Sequence, residues 1–133
     1  MTVNGRTRET RQRRTVYDAV KQSHRHPTAD WIFDRVRSQI PKISLGTVYR
    51  NLTVLKTEGM IREILGNDRR AHYEARMEPH AHFICTSCGE IADIEEVPPI
   101  EWRTLRDLVG YRVDEQRVEF LGLCPGCARR ANN

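Results

Sequence analysis

The first half of the chain carries three segments in which apolar residues recur at helical spacing. The predicted helices cover residues 10–23, 29–39 and 45–58. Thr10, Thr28 and Ser44 stand at the start of the three segments as N-caps, and Gly59 follows the third segment as a C′ residue. Each segment has one apolar stripe, so the pattern predicts three helices packed around a common core.

The pattern then changes from helical spacing to strict alternation. Residues 60–65 and 71–75 alternate apolar and polar side chains, and the link between them, residues 66–70, is polar and contains Gly66 and Asn67. Such a pair predicts a hairpin with arginines at its tip. Three helices followed by a hairpin predict a winged helix-turn-helix domain over residues 1–76.

The second half, residues 79–133, reads as a small α/β unit. Strands are predicted at 80–85, 90–95 and 117–123, with a further short strand at 111–113. A helix is predicted over 100–109, after Pro98-Pro99 and before Gly110. The fold class is therefore α+β, and a unit this small is expected to need a bound metal and dimerisation for stability.

Charge is distributed unequally between the two halves. Residues 1–78 carry 16 Lys and Arg against 9 Asp and Glu, whereas residues 79–133 carry 6 against 9. A basic half of this kind is typical of proteins that bind nucleic acid. No apolar run approaches the length of a membrane helix and no signal peptide is visible, so a cytoplasmic protein without membrane contact is expected.

The third predicted helix has a polar face without acids before Glu58. Its hydroxyls, aromatic ring, guanidinium and amide suit contacts with base edges and phosphates, although an ordinary core helix with a polar back is the alternative. Arginines near the N-terminus and at the hairpin tip would reach the DNA backbone. The predicted DNA-binding residues are Arg13, Ser44, Thr47, Tyr49, Arg50, Asn51, Arg69 and Arg70.

All four cysteines belong to two C-x-x-C pairs. Cys85 and Cys88 form the first pair, and Cys124 and Cys127 form the second. Two such pairs can supply four thiolates in a tetrahedral shell, which suits a structural zinc ion. Two disulfides or four unrelated buried thiols are the alternatives, and a reducing compartment disfavours disulfides.

A pair of histidines precedes the first cysteine pair. On a strand, His80 and His82 point to the same face and form half of a second metal site. A zinc ion held by four thiolates has no room for them. Because H-x-H alone is weak evidence, the alternative is an exposed histidine pair without a ligand.

Three motifs together carry a resemblance to a known family. Residues 44–52 (Ser-Leu-Gly-Thr-Val-Tyr-Arg-Asn-Leu), the run His80-x-His82-x-x-Cys85-x-x-Cys88-Gly89 and the late C-x-x-C resemble the ferric uptake regulator superfamily, and the pattern is most similar to its peroxide-stress regulator branch. The resemblance implies a homodimeric repressor that binds an AT-rich palindromic operator. It also implies a regulatory Fe(II) or Mn(II) held by His26, Glu74, His80, His82 and Asp93.

The resemblance further implies how the signal acts. Fe(II) in such a site reacts with hydrogen peroxide, the oxidant attacks His26 or His80, and the repressor leaves DNA, whereas Mn(II) supports DNA binding without this reactivity. Glu74 stands where the peroxide branch more often has Asp, which favours an iron- or manganese-level sensor as the alternative. Pro79, Ala81 and Gln116 stand where the family's additional metal site would have ligands.

Two rival functions come from other classes. His80, His82 and one carboxylate would also suit a non-haem iron enzyme, but no substrate-pocket motif is visible and the basic half would be unexplained. A zinc-ribbon adaptor that binds nucleic acid without a regulatory metal is the other rival. The sequence therefore favours a regulator rather than an enzyme.

Overall fold

The computed structural model describes residues 8–23, 25–98 and 100–132. The chain divides into two compact units, Met1–Met77 and Glu78–Asn133. No helix within the described residues is long and apolar enough to cross a membrane.

The first unit begins with three helices. Helix α1 covers Arg8–Gln22, α2 covers Ala29–Val36 and α3 covers Leu45–Thr57. The Thr28 side chain accepts from the Trp31 backbone N–H, and Ser44 accepts from Thr47, so both predicted caps form. Thr10 lies inside α1 rather than at its cap, because the preceding arginine and glutamate are good helix formers that extend the helix.

A two-stranded hairpin completes the first unit. Strands β1 (Arg62–Leu65) and β2 (Ala71–Glu74) pair antiparallel, with Ile64 opposite His72. The polar turn between them is closed by the Gly66 backbone N–H, which donates to the Arg70 carbonyl at 2.9 Å. Three helices followed by this hairpin form a winged helix-turn-helix, as the sequence predicts.

The core of the first unit lies between the helices and the hairpin. The core side chains come from the predicted apolar stripes of the helices and from both arms of the hairpin, and they are almost completely buried. The largest fully buried side chains are Val16, Val20, Ile32, Val36, Val48, Leu52, Ile61 and Ile64. Burial of each such side chain contributes about 1.5–3 kcal/mol, so the apolar stripes are what hold the helices together.

The second unit contains a three-stranded sheet in the order β4-β3-β5. The central strand β3 (Ala81–Cys85) pairs antiparallel with β4 (Ile91–Ile94) and parallel with β5 (Glu119–Gly122). The predicted strand at 111–113 is wrong, since residues 111–118 have no regular structure.

The helix predicted over 100–109 does not form. Two short 3₁₀ turns, Trp102–Thr104 and Arg106–Leu108, take its place. Ile100 and Val109 are 57% and 78% exposed, and Trp102 and Leu108 are only partly buried, so this segment has little packing to stabilise a helix. A ten-residue helix without such packing is marginal in water, which explains the difference.

A short helix that the sequence analysis did not predict ends the described chain. Helix α4 covers Pro125–Ala131 and begins directly after Cys124, with Pro125 in its first turn. Proline at the first position followed by alanines and arginines is a recognisable helix start. The second cysteine pair therefore lies on a helix N-terminus.

Gly59 gives a test of the turn that ends α3. Its φ is +74°, and a Cβ added there would meet no atom within 4 Å, so only backbone strain opposes a side chain. We expect Gly59→Ala to lower the free energy of unfolding by about 1 kcal/mol. Gly46→Ala, inside α3 with its nearest neighbour at 3.9 Å, is the control and should not destabilise. Urea unfolding followed by helical circular dichroism measures the free energy of unfolding of both variants. Equal free energies for the two variants would contradict the role assigned to Gly59 in the turn.

Candidate metal centres and DNA-binding surface

The two cysteine pairs converge in the second unit. Ligand atoms of Cys85, Cys88, Cys124 and Cys127 all lie within 4.8 Å of one another. Cys85 ends β3 and the turn that follows it brings in Cys88, with Gly89 at φ +82°. The C-terminal half of the cluster comes from the start of α4. The four thiols are free and form no disulfide.

Electrostatics within the cluster oppose four thiolates in the absence of a cation. The backbone N–H groups of Cys124 and Cys88 each donate to the Cys85 sulfur at 3.4 Å and lower the pKa of that thiol to about 6. The Glu90 backbone N–H acts to lower the pKa of Cys88, but the neighbouring thiols and desolvation outweigh it and raise that pKa to about 11. A bound zinc ion removes this conflict, because metal coordination deprotonates a thiol outright.

An arginine also contacts the cluster. The Arg130 guanidinium Nη2 donates to the Cys127 sulfur at 2.9 Å across one turn of α4. Four thiolates around one Zn²⁺ leave a net charge of minus two, and a neighbouring cation offsets part of it. Sulfur donors alone, in a four-membered cluster next to backbone N–H groups, suit zinc, so this chain carries a structural zinc site.

A second group of ligands lies on the same sheet. His82 on β3 stands directly opposite Asp93 on β4. The His82 Nε2 and the His80 Nε2 lie 3.4 Å and 3.3 Å from the same Asp93 oxygen, Oδ1. The two imidazole rings meet edge to face, with centroids 4.5 Å apart. Strand pairing thus brings His82 to Asp93, and His80, which directly precedes β3, adds the second imidazole.

The orientation of His80 suits a metal ligand. Its Nδ1 donates to the Glu78 carbonyl oxygen at 2.7 Å, so the proton of a neutral ring is on Nδ1. The Nε2 lone pair then points toward the Asp93 carboxylate, and two electron-pair donors face each other. Hydrogen bonding of the remote nitrogen to a carbonyl is how proteins orient a metal-ligating imidazole.

The first unit contributes a histidine and a carboxylate. The His26 Nε2 lies 3.5 Å from Glu74 Oε1, and both side chains are buried. Glu74 ends β2, where it pairs with Arg62 on β1, whose guanidinium lies 3.9 Å from Oε2. Imidazole nitrogens and carboxylate oxygens are the donors that Fe(II) and Mn(II) accept, so these groups suit a regulatory Fe or Mn ion.

The polar face of α3 forms a hydrogen-bonded surface. Ser44 and Thr47 hydroxyls lie 2.9 Å apart, and the Arg50 guanidinium donates to the Thr47 hydroxyl at 3.1 Å. Tyr49 is 47% exposed. Asn51, predicted to contact DNA, is buried instead, and its amide donates to the Thr47 carbonyl at 3.0 Å. Asn51 therefore braces the helix and cannot reach a base.

The remaining predicted DNA-binding residues lie on the hairpin tip and on α1. Arg69 and Arg70 are exposed on the turn, and Arg69 has φ +64°, so the turn includes one residue in the left-handed region. The Arg70 guanidinium approaches Asp30 at 4.0 Å. Arg13 is half-buried in α1.

Three contacts at these centres were not predicted from the sequence. Arg130 reaches a cysteine, Arg62 reaches Glu74, and His72 bonds the His26 carbonyl oxygen at 2.8 Å. The i to i+3 spacing of Cys127 and Arg130 was a visible signal once a helix was placed there. The other two contacts depend on strand register and on the path of residues 26–28, which the sequence does not reveal.

Comparison with known proteins identifies similar chains. The profile of the "Ferric uptake regulator family" matches residues 4–121. The peroxide operon regulator of Bacillus subtilis (strain 168) is 32% identical over 127 residues, which cover 95% of this chain and 88% of that protein.

Two solved structures are also similar. The Helicobacter pylori ferric uptake regulator Fur, described as having three functional metal-binding sites, superposes with a TM-score of 0.74 at 27% identity, covering 94% of this chain and 84% of that one. The Campylobacter jejuni peroxide stress regulator gives a TM-score of 0.72 at 29% identity, with 90% of each chain covered.

Cys88 offers a clean test of the zinc site, because it is exposed and its replacement leaves no core cavity. We expect Cys88→Ser to release zinc and to lower the Tm of the second unit by about 10 °C, since metal binding energy is folding energy here. Metal analysis of purified protein and thermal unfolding measure the two effects. Arg129→Ala, an exposed substitution on α4, is the control and should keep both. A zinc-replete Cys88→Ser protein of unchanged Tm would rule out four-sulfur coordination.

Proposed function

This chain is a metal-responsive regulator of the ferric uptake regulator family, and we propose that it is a DNA-binding repressor that senses hydrogen peroxide. In this proposal His26, Glu74, His80, His82 and Asp93 hold one regulatory ion. Oxidation of His26 or His80 releases the repressor from DNA. The similarity to peroxide regulators at 32% and 29% identity supports this branch of the family.

The observation that carries the proposal is the pre-assembly of both ligand groups. Within the first unit, His26 lies 3.5 Å from Glu74. Within the second unit, His80 and His82 both lie within 3.4 Å of one Asp93 oxygen. Each group brings donors of the required kind close together. Three imidazoles and two carboxylates would leave a sixth position of an octahedral ion for peroxide.

The residues have separate tasks in this mechanism. A bound Fe(II) ion would supply the redox chemistry that activates hydrogen peroxide, and a bound Mn(II) ion would not. The hydrogen bond from His80 Nδ1 to the Glu78 carbonyl orients the ring so that Nε2 lies toward Asp93. A ring that takes up one oxygen atom from peroxide, with water as the other net product, is a poorer ligand. Because the ligands come from both units, loss of one would free their relative orientation, which is the coupling that a repressor needs.

The surface of α3 would provide the specific DNA contacts. Ser44, Thr47 and Arg50 form one hydrogen-bonded group, and Tyr49 is exposed beside them. In a winged helix-turn-helix, this third helix enters the major groove and the hairpin tip approaches the backbone. Arg69 and Arg70 at that tip, and Arg13 on α1, would contact phosphates of an AT-rich palindrome.

Regulators of this family bind DNA as dimers, and exposed apolar side chains in the second unit support a homodimer here. Seven large apolar residues are more than two-fifths exposed on and around β5 and the 3₁₀ turns. They are Ile100, Leu105, Val109, Tyr111, Phe120, Leu121 and Leu123. An edge strand of this composition is a suitable surface for pairing with a second copy.

A second candidate function is an iron- or manganese-level sensor of the same family without peroxide sensing. Glu74 favours it, because the peroxide branch more often has Asp at that position. The Helicobacter pylori regulator, at 27% identity, carries the name of an iron regulator. The two candidates differ in one observable, which is whether a ligand histidine is oxidised.

An anaerobic experiment separates the two candidates. Zinc-replete protein loaded with Fe(II) or Mn(II) receives stoichiometric hydrogen peroxide, and binding to an AT-rich palindrome is measured beside peptide masses. With Fe(II) alone, we expect one added oxygen atom on His26 or His80 together with loss of DNA binding. Trypsin cleaves after Arg25, so His24 and His26 fall on different peptides and His24 is an internal control. Fragment-ion sequencing is needed to separate His80 from His82.

Three outcomes have distinct meanings. Oxygen on His24 as often as on His26 would indicate unspecific damage. Intact histidines and persistent DNA binding with either ion would favour the metal-level sensor. DNA binding that needs neither ion would favour the zinc-only adaptor.

Arg50 tests the recognition surface. We expect Arg50→Ala to weaken operator binding by about tenfold or more, because a base or phosphate contact by arginine is worth about 1–3 kcal/mol. Lys56→Ala is the matched control, since it removes the same charge from the same helix, but Lys56 pairs with Glu63 at 3.1 Å. Fluorescence anisotropy at fixed salt measures both variants; equal losses would mean that α3 acts only through net charge.

A further inference from the structure

His72 makes two contacts that no metal or DNA assignment uses. It lies on β2, and its ring is mostly buried. Nδ1 donates to the His26 carbonyl oxygen at 2.8 Å, since a carbonyl oxygen only accepts. Nε2 lies 3.2 Å from the Asp68 carboxylate in the hairpin turn, and it donates to that carboxylate when the ring carries a proton on both nitrogens. One side chain thus joins the backbone of a proposed ligand to the turn that carries Arg69 and Arg70.

Backbone contacts strengthen the first end of this link. Thr28 and His72 form an isolated antiparallel bridge, and the Tyr73 backbone N–H donates to the Pro27 carbonyl at 2.9 Å. Residues 26–28 therefore run beside β2 as a short extra edge of the hairpin. The His72 ring extends from this edge toward the hairpin turn.

The hairpin turn is shaped around the second end. The Asp68 carboxylate accepts from the Arg70 backbone N–H at 3.0 Å, which lowers the pKa of Asp68 and keeps it an acceptor. A Cβ added to Gly66 would lie 2.6 Å from His72 Nε2 and 2.7 Å from Asp68 Oδ1. The turn thus has a glycine where the two side chains meet.

We propose that His72 is a positioning residue that holds the His26 segment and the hairpin turn together as one piece. The role of His26 as a ligand rests on the proposed function, but the link itself does not. A shift of His26 on metal loss or oxidation would then move its own carbonyl, the His72 ring and Asp68 together. The arginines at the hairpin tip would change position without any direct contact with the ion.

Amide hydrogen exchange tests the link in zinc-replete protein without a regulatory metal. We expect His72→Ala to speed exchange of the Arg70 and Tyr73 amides by about threefold or more, since each depends on one end of the link. His72→Asn should protect Tyr73, because its side-chain nitrogen can still donate to the His26 carbonyl, but should release Arg70. Asp30→Ala removes only the exposed contact with Arg70 and is the matched control. Unchanged exchange in His72→Ala would overturn the proposal.

Manganese then tests the transmission. The ratio of operator Kd without and with Mn(II) is measured for wild type, His72→Asn and Asp68→Ala. We expect both variants to bind Mn(II) with a Kd within about twofold of the wild-type value. Both should nevertheless lose most of the effect of Mn(II) on the operator Kd. A variant that keeps the full wild-type ratio would overturn the transmission. If Mn(II) does not change the operator Kd of the wild type, that result counts against the proposed function alone. The amide hydrogen exchange would still decide whether the link exists. Asp68 is on the surface, so its variant covers the case in which His72→Ala fails to fold.

Discussion

The second unit depends on four sulfur atoms that stand within 4.8 Å of one another. Its buried apolar cluster consists of three of those cysteines with Phe83 packed against them, which is little core for about fifty residues. Four thiolates repel unless a cation lies among them, so ion binding and folding are the same event for this unit. Zinc at this point fixes the end of β3 against the start of α4. The rest of the sheet is arranged from that fixed strand.

The register of β3 links the zinc site to the proposed regulatory ligands. Cys85 ends the strand and His82 lies three positions earlier, so the zinc end sets where that imidazole points. Antiparallel pairing with β4 then places Asp93 opposite His82. A shift of one residue would send both imidazoles to the other face of the sheet. The zinc end of the strand thus helps to set the position of the proposed regulatory ligand His82, and two kinds of metal donor share one strand.

Much of this arrangement was predictable because it follows from local patterns. The caps at Thr28 and Ser44, the hairpin and the alternation at His80 and His82 depend on residues close together in sequence. The failures share a different cause. The helix predicted over 100–109 has the right period but little packing within its unit, and Asn51 was assigned to the DNA surface although it is buried in unit 1. Periodicity shows which side of an element is apolar or polar, but only tertiary packing decides whether that side is buried.

The His72 contacts were hidden from the sequence for the same reason, since they join residues 46 positions apart. They bear on how a small chemical change can be amplified. An oxygen atom added to one imidazole is a local event, and a repressor must convert it into lost contacts with DNA. Flexible connections would absorb the change. A segment bonded to β2 by backbone and side chain cannot absorb it, so displacement of His26 has to appear elsewhere in the first unit. A link of this kind would let the hairpin tip respond to the oxidation of a ligand.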